Sequence, residues 1–405
     1  MKVIDVAATA LLVLLPAAPA HAHVMESGSE LRVTQTFSAG EVTLVLPGIA
    51  QAPAPLPVSA HAPYPIRLEL ELRSLTDGGT STGTVTAGSA AAALQIRHDG
   101  PHELRVRADD EVTVIPFRVV VPEPAGWGML VDGAALVAGL LLVGSVLATR
   151  GSRVLVGGGT AAAAVAITVT LLTPYMSANG AAAAPETGRP YAQARFSTQA
   201  EPVTGADFTL SVRLTDGATG RPVDDLAVHH EAMAHLVVTS EDGSVFRHLH
   251  PLRTAPGMLA VSLNVARPGR YLAYLEIERQ RAGGQLLTGA FHVAGAVLPD
   301  TADHDGAGRG AIVPRLSPAV PVAGNPVTIE VDTAGPHQLW LGMPGHLVVR
   351  SSDGDRLTHV HAAAAGISAL RFTVTFPEPG RCLAWVQYAV GDRVITEPFT
   401  LEVVR

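Results

Sequence analysis

Residues 233–251 read MAHLVVTSEDGSVFRHLHP, and residues 345–362 read GHLVVRSSDGDRLTHVHA. Each stretch has apolar-rich runs on both sides of an Asp-Gly pair, which begins at Asp242 in the first stretch and at Asp353 in the second. This dipeptide between two such runs predicts a β-hairpin with a two-residue type I′ turn, because that turn needs positive φ at both central positions. The two stretches therefore predict two hairpins of an internal repeat.

The repeat extends beyond the hairpins. Each copy continues into a Pro-Gly-Arg turn and a further strand pattern, PGRYLAYLEIE in the first and PGRCLAWVQYA in the second. We therefore predict two β-sandwich domains, repeat 1 over residues 195–294 and repeat 2 over residues 313–405, with a linker at 174–194 before them. Short alternating runs within residues 23–125 predict a third, N-terminal sandwich. The predicted fold is mainly β, with three Ig-like or cupredoxin-like sandwiches.

The predicted turn also sets the register of each hairpin. His235 then lies opposite His250 in repeat 1, and His346 lies opposite His361 in repeat 2, with one more histidine two positions along the second strand. Residues two apart on a strand share a face, and directly opposed residues do so too, about 5 Å apart. Each hairpin therefore gathers a histidine triad on one surface, and the six candidate metal ligands are His235, His248, His250, His346, His359 and His361.

Three neighbouring imidazoles suit a single metal ion. Imidazole binds copper, zinc, nickel or iron, and a nearby thioether favours Cu(I). Met233 precedes His235 by two residues, and Met343 precedes the second triad but needs a bulge to reach it. We include both methionines as secondary candidates, together with His230 and Glu231 beside the first triad.

The run H-E-x-M-x-H-L-V-V-x-S-x-D, followed by F-x-H-L-H-P, covers residues 230–251 and, more loosely, residues 343–361. It resembles bacterial extracytoplasmic β-sandwich domains found in copper and heavy-metal handling proteins. The resemblance implies metal binding by the six histidines, with copper as the expected metal and zinc as the alternative. The second copy lacks the His-Glu pair and ends in Ala362 instead of proline, which implies a weaker or vestigial second site.

Two apolar stretches predict a transmembrane helical hairpin at residues 128–173. The helices span 128–148 and 154–173, each close to the roughly 20 residues that a bilayer requires. The connecting loop carries Arg150 and Arg153, which makes it cytoplasmic under the positive-inside rule. We therefore expect a cell-membrane protein whose globular domains lie on the extracytoplasmic side.

Residues 1–22 read as a signal peptide that ends in Ala-His-Ala. Cleavage there leaves His23 as the mature N-terminus, where an amine and an imidazole can chelate copper together. His23 is therefore a further secondary metal ligand. It also supports one alternative function, a copper-dependent redox protein.

Charge and motifs exclude several classes of function. Lys and Arg number 28 against 36 Asp and Glu, with no basic cluster, which argues against a nucleic-acid partner. No nucleophile–base motif, P-loop or dinucleotide fingerprint is visible, so we do not expect an enzyme. Cys382 is the one cysteine, so no intramolecular disulfide can form, and an ordinary buried side chain is expected there.

The sequence thus predicts a membrane-anchored metal-binding protein, most consistent with copper storage, transfer or resistance. Its expected partners are the membrane, the metal ion and a copper transporter or metal-receiving protein. The alternative from another class is a structural or interaction module whose histidines are incidental, or a pH-responsive surface.

Overall fold

The computed structural model describes residues 24–25, 28–121, 191–280, 282–299 and 312–405. All regular elements in these residues are β-strands, which confirms the mainly β class. Within the same residues there is no helix with the length and hydrophobicity of a membrane span.

Several predicted features lie outside the described residues. They are the signal peptide at 1–22, His23, the helical hairpin at 128–173 and most of the linker at 174–194. The first strand of repeat 1 begins at Ala192, just before the predicted start of that domain at residue 195.

The N-terminal domain consists of two facing sheets. Strand order is β1-β9-β8-β5-β6 in one sheet and β2-β3-β4-β7 in the other. Residues alternate between the core and the surface, as in the strand RLELELRS, whose leucines are buried and whose charged residues mostly point outward. The strands are β1 (Val24–Met25), β2 (Glu30–Phe37), β3 (Gly40–Pro47), β4 (Ala54–His61), β5 (Arg67–Ser74), β6 (Thr80–Thr86), β7 (Ala92–Ile96), β8 (Gly100–Ala108) and β9 (Glu111–Val119).

Repeat 1 is a sandwich of two four-stranded sheets, ordered β10-β11-β15-β14 and β13-β12-β16-β17. Leu236 and Val238 of its histidine hairpin point into the core between the sheets, so the histidine-bearing face points outward from this sandwich. The strands are β10 (Ala192–Thr198), β11 (Phe208–Asp216), β12 (Ala234–Ser240), β13 (Phe246–Leu249), β14 (Leu252–Ala255), β15 (Met258–Leu263), β16 (Gly269–Arg279) and β17 (Gly283–Val293).

Repeat 2 has the same arrangement, with sheets ordered β18-β19-β23-β22 and β21-β20-β24-β25. The identical strand order confirms that the two domains are structural repeats. The strands are β18 (Arg315–Ser317), β19 (Pro326–Asp332), β20 (His346–Ser351), β21 (Leu357–His361), β22 (Ala363–Gly366), β23 (Ala369–Thr375), β24 (Gly380–Val390) and β25 (Arg393–Val403).

The predicted hairpin register is confirmed, but the predicted turn type is wrong. Val237 pairs with His248, and His346 pairs with His361, as expected. Gly243 has positive φ but Asp242 does not, so the turn is not type I′. The register is as predicted because the loop is longer by one residue on each side. Such a symmetric extension does not shift one strand relative to the other.

The histidine-bearing sheets of the two repeats pack against each other. A small core lies between them and includes Phe246, whose ring stacks on Trp385 of the other repeat at a centroid distance of 4.7 Å. The buried guanidinium of Arg350 crosses the same interface and donates to Thr239 Oγ1 and to the carbonyl oxygen of Ser240. The outward faces of the two sandwiches are thus buried against one another.

The N-terminal domain packs on repeat 1. Met233 and Leu252 of repeat 1 are buried in the same hydrophobic core as the side chains of the N-terminal sandwich. Thr36 and His250 exchange hydrogen bonds: the amide of Thr36 donates to the carbonyl of His250, and the amide of His250 donates to the Thr36 hydroxyl. All three domains therefore meet close to the first histidine triad.

Candidate metal centre

The structure brings each predicted triad together. His235, His248 and His250 offer ligand nitrogens that all lie within 4.8 Å of one another, and the corresponding residues of repeat 2 do the same. We call these groups triad 1 (His235, His248 and His250) and triad 2 (His346, His359 and His361). Each could hold a metal ion.

In triad 2 the hydrogen bonds determine which ring nitrogens carry protons. His346 Nε2 lies 3.1 Å from the carbonyl oxygen of Trp340, and His359 Nδ1 lies 2.9 Å from Glu276 Oε2. Both partners are acceptors, so these two nitrogens carry the hydrogens. In the neutral rings the other nitrogens, His346 Nδ1 and His359 Nε2, then direct lone pairs at each other across 3.1 Å.

Triad 1 repeats this arrangement. His235 Nε2 donates to the carbonyl oxygen of His229 at 3.0 Å, and His248 Nδ1 lies 2.9 Å from Gln387 Oε1. The amide group of Gln387 donates to Thr396, which leaves its oxygen to accept from His248. The lone pairs of His235 Nδ1 and His248 Nε2 therefore face each other across 3.2 Å.

The third histidine of each triad also offers a free nitrogen. His250 Nδ1 lies 2.9 Å from Glu41 Oε2, while its Nε2 is buried without a hydrogen-bond partner. His361 Nε2, at the equivalent position of repeat 2, is likewise buried and unpartnered. Two facing lone pairs repel unless a cation lies between them, and a buried unpaired nitrogen costs about 1–3 kcal/mol. A bound metal ion would satisfy all three nitrogens at once.

Burial favours the unprotonated form that metals require in four of the six candidate ligands. It lowers the pKa of His235, His248 and His346 well below the usual value, and the neighbouring imidazoles add to the effect. Burial, with the neighbouring His359, lowers the pKa of His361 to about 3. Metal ligation by histidine needs the neutral ring, so these pKa shifts favour a metal over protons.

The two triads face each other across the interface between the repeats. The ring centroids of His248 and His359 are 5.1 Å apart, and those of His235 and His359 are 5.6 Å apart. These spacings are close to the 5.4 Å between His235 and His248 within triad 1. The six imidazoles therefore form one continuous cluster with room for two ligand sets.

Each repeat orients a histidine of the other. Gln387, which holds His248 of triad 1, belongs to repeat 2, and Glu276, which holds His359 of triad 2, belongs to repeat 1. Acceptors of this kind fix the ring orientation of metal-binding histidines and raise their basicity. Neither repeat alone therefore supplies a complete site.

The structure corrects the expected position of His230. The ring of His230 lies against His361 of triad 2, with centroids 3.7 Å apart, and not beside triad 1. It is placed there by a tight turn closed by His229 and Ala232, in which His230 has a φ of 46°. The carboxylate of Glu231 accepts a hydrogen bond from Arg32 of the N-terminal domain at 2.7 Å.

The sulfur-containing candidates are used in packing. Met233 is buried in the core shared with the N-terminal domain, and Cys382 is buried in the core of repeat 2 as predicted. Met343 is half-buried in the tight turn that it closes with Trp340. The nitrogens that lie close together in each triad are imidazole nitrogens. Ligation by the thioether of Met233 or Met343 stays a prediction.

Four residues of the centre were missed from the sequence: Glu41, Glu276, Trp340 and Gln387. Glu276 pairs with His235 across neighbouring strands, and Gln387 pairs with His346 in the same way. Aligning the two repeats would have shown a polar residue at this position in both copies. Comparison of the two repeats could not point to Glu41, because this residue lies in the N-terminal domain.

Comparisons with known proteins describe the repeats but not their function. A family model described as "Domain of unknown function (DUF8832)" matches residues 191–296 and 316–405, slightly less than half of the chain. No curated protein matches the chain.

Among solved structures, the chain is similar to a tetra-tandem repeat in the extending region of a large adhesion protein (11% identity, TM-score 0.18), covering 94% of this chain and 92% of that one. It is similar to the chicken CNTN1 FN1–FN3 domains at 6% identity and a TM-score of 0.18, covering 89% and 97%. It is similar to red sea bream transglutaminase at 13% identity and a TM-score of 0.17, covering 54% and 32%.

Proposed function

We propose that this protein binds two metal ions, one in each histidine triad, and that metal handling is its function. The observation that carries the proposal is the pair of facing ring nitrogens in each triad. In triad 2, His346 Nδ1 and His359 Nε2 lie 3.1 Å apart, while the other nitrogen of each ring lies beside an oxygen acceptor. A proton could bridge two nitrogens, but it would leave the buried Nε2 of His361 unpaired. A metal ion uses all three.

The chemistry of the triads favours copper or zinc. Three imidazole nitrogens suit both metals, and the ordinary order of affinities favours Cu²⁺ over Zn²⁺. Copper therefore remains our expectation and zinc the alternative. Three protein ligands also leave a coordination position open, which suits a site that receives and releases an ion more than a closed structural site.

The role that we propose is storage, transfer or resistance at the cell membrane. The support for a membrane location comes from the apolar stretches at residues 128–148 and 154–173, and support for export comes from the signal-like residues 1–22. A metal transporter or a metal-receiving protein is the partner that this role requires. The assignment of the sandwiches as Ig-like or cupredoxin-like stays a prediction.

The test is metal stoichiometry on the full chain in detergent micelles. Wild-type protein is loaded with Cu²⁺ or Zn²⁺, dialysed, and analysed by inductively coupled plasma mass spectrometry. A quadruple variant carries alanine at four ligand positions, two in each triad: His235, His248, His346 and His359. The control variant carries His98→Ala and His292→Ala, two exposed histidines that belong to neither triad.

We expect two ions in the wild type and in the control, and none in the quadruple variant. Equal retention by all three proteins would show that the ions bind elsewhere. If none of the proteins retains an ion, the histidine cluster is a structural or proton-binding interface and the metal-handling proposal fails.

A further inference from the structure

The two triads are alike in their ligands but differ in what surrounds them. Triad 1 is closed by the N-terminal domain. The side chain of His250 has no exposed surface, and its Nδ1–H donates to Glu41 Oε2. The other oxygen of the same carboxylate, Oε1, accepts the indole N–H of Trp340 at 2.7 Å. Glu41 therefore holds a ligand from repeat 1 and an aromatic ring from repeat 2 at once.

The ring of Trp340 lines triad 1 and also lies 4.8 Å from the ring of His346 in triad 2. Its ring centroid lies 5.6 Å from that of His248 and 6.3 Å from that of His250. Strand β2 fixes the backbone of His250 as well, through the two hydrogen bonds between Thr36 and His250. These contacts would have to open for an ion to leave triad 1 on the side of the N-terminal domain.

The turn of repeat 2 beside triad 1 contains Trp340 and Leu341. The equivalent turn of repeat 1, beside triad 2, contains two further histidines. His229 and His230 occupy the equivalent turn, and their rings lie 6.4 Å and 3.7 Å from that of His361. The side chain of His229 is 43% exposed, and that of His230 is half-buried. The chain of imidazoles therefore runs from solvent through His229 and His230 to His361.

We propose that the two triads are unequal members of one paired centre. Triad 1 retains its ion because the N-terminal domain closes it through Glu41. Triad 2 exchanges its ion with solvent or with a partner protein, and His230 is the ligand that passes the ion between solvent and His361. This inference rests on the proposed metal-binding function, and it makes Glu41 a positioning residue and His230 an exchange ligand.

The role of Glu41 depends on its having two acceptor oxygens. An amide at this position has one acceptor and one donor, so Glu41→Gln can hold His250 or Trp340 but not both. Loss of a carboxylate partner typically weakens metal binding by a metal-ligating histidine about 10- to 100-fold. The effect should be confined to triad 1, because Glu41 hydrogen-bonds the ligand His250 itself but only the indole of Trp340. His346 of triad 2 is oriented by the backbone carbonyl of Trp340, which the turn closed with Met343 fixes independently of Glu41.

The experiment follows the release of Zn²⁺ from the fully loaded full chain in detergent micelles. An excess of the chromogenic chelator 4-(2-pyridylazo)resorcinol is added and its absorbance is recorded with time. We expect two phases of equal amplitude, at one ion each, for the wild type. Glu41→Gln should speed the slow phase about 10-fold and leave the fast phase unchanged. His230→Ala should slow the fast phase and leave the slow phase unchanged.

Two controls complete the design. Glu69→Gln changes an exposed carboxylate of the N-terminal domain, and His98→Ala changes an exposed histidine; both should reproduce the wild-type phases. An unchanged fast phase in Glu41→Gln also shows that this variant keeps both repeats folded.

Release of both ions in a single phase would overturn the inference while leaving the metal-binding proposal intact. So would an effect of Glu41→Gln on the fast phase, or faster release from His230→Ala, which would make His230 an ordinary ligand. A wild-type protein that holds no zinc after dialysis overturns both proposals.

Discussion

His248 of repeat 1 donates the hydrogen of its Nδ1 to Oε1 of Gln387 in repeat 2, at 2.9 Å. The reciprocal bond runs from His359 of repeat 2 to Glu276 of repeat 1, also at 2.9 Å. Since 276 and 387 are equivalent positions of the two repeats, each sandwich provides the acceptor that orients a ligand of the other. A metal ion bound by the triads would be coupled to the docking of the two repeats through these two bonds.

The Gln387 contact predicts a selective loss of affinity. Gln387→Ala removes the acceptor that fixes His248, so we expect the affinity of one of the two ions to fall about 10- to 100-fold. Competition with a chelator of known affinity measures the affinity of the protein for each ion. Gln193→Ala, at an exposed glutamine, is the matched control and should leave both affinities unchanged. Equal weakening of both ions would contradict the assignment of Gln387 to triad 1.

Metal binding should stabilise the fold. An ion that binds only the native state contributes about 2.7 kcal/mol per site when its free concentration is 100 times Kd. We therefore expect excess Zn²⁺ to raise the urea midpoint of the wild type. The quadruple histidine variant should show no such rise. A rise of the same size in the variant would place the stabilising ions outside the triads.

The metal-free protein should lose stability in mild acid. Burial lowers the pKa of His235, His248 and His346, so below about pH 6.5 the unfolded chain binds protons that the folded chain does not. Stability therefore falls as the pH drops below that value, with a slope of at most about 1.4 kcal/mol per pH unit for each histidine. Above about pH 7 these groups should contribute no pH dependence.

Urea unfolding in the presence of a chelator, at pH values from 7.5 to 5, measures this slope. A variant with His235→Gln and His346→Gln should have a smaller slope, because two of the buried titrating groups are gone. An acid-independent urea midpoint in the wild type would show that the cluster takes up protons in the folded state.

Arg350 should be important for the docking of the repeats. Its guanidinium donates to the Thr239 hydroxyl at 2.6 Å and to backbone carbonyls, including that of Glu241 at 2.7 Å. Arg350→Ala leaves these buried acceptors without a donor and opens a cavity, so we expect a loss of about 3–5 kcal/mol in urea unfolding. The control is Arg371→Ala, whose ion pair is exposed and should contribute less than about 1 kcal/mol. A small effect of Arg350→Ala would show that the repeats dock without it.

The histidine hairpins show which structural features the local sequence pattern predicts correctly and which it does not. Strand alternation was enough to place His346 opposite His361, because the side-chain period of a strand is set by its own backbone. The type I′ prediction failed at Asp242 because side-chain acceptance stabilises a longer loop there: Asp242 Oδ1 accepts hydrogen bonds from Ser240 and Ser244. These side-chain hydrogen bonds compete with the two-residue turn, and the rule for the Asp-Gly dipeptide takes no account of them.

The sequence by itself determined the mainly β class, the repeat, the hairpin register and the grouping of three histidines in each copy. Those properties follow from short-range periodicity and from comparison of one copy with the other. Only the tertiary structure decided that the two triads face each other, that Glu276 and Gln387 serve opposite repeats, and that Glu41 reaches His250 from another domain. The physical reason is that these contacts join residues far apart in the chain, through the burial of whole sheet faces, and no local pattern records which faces will meet.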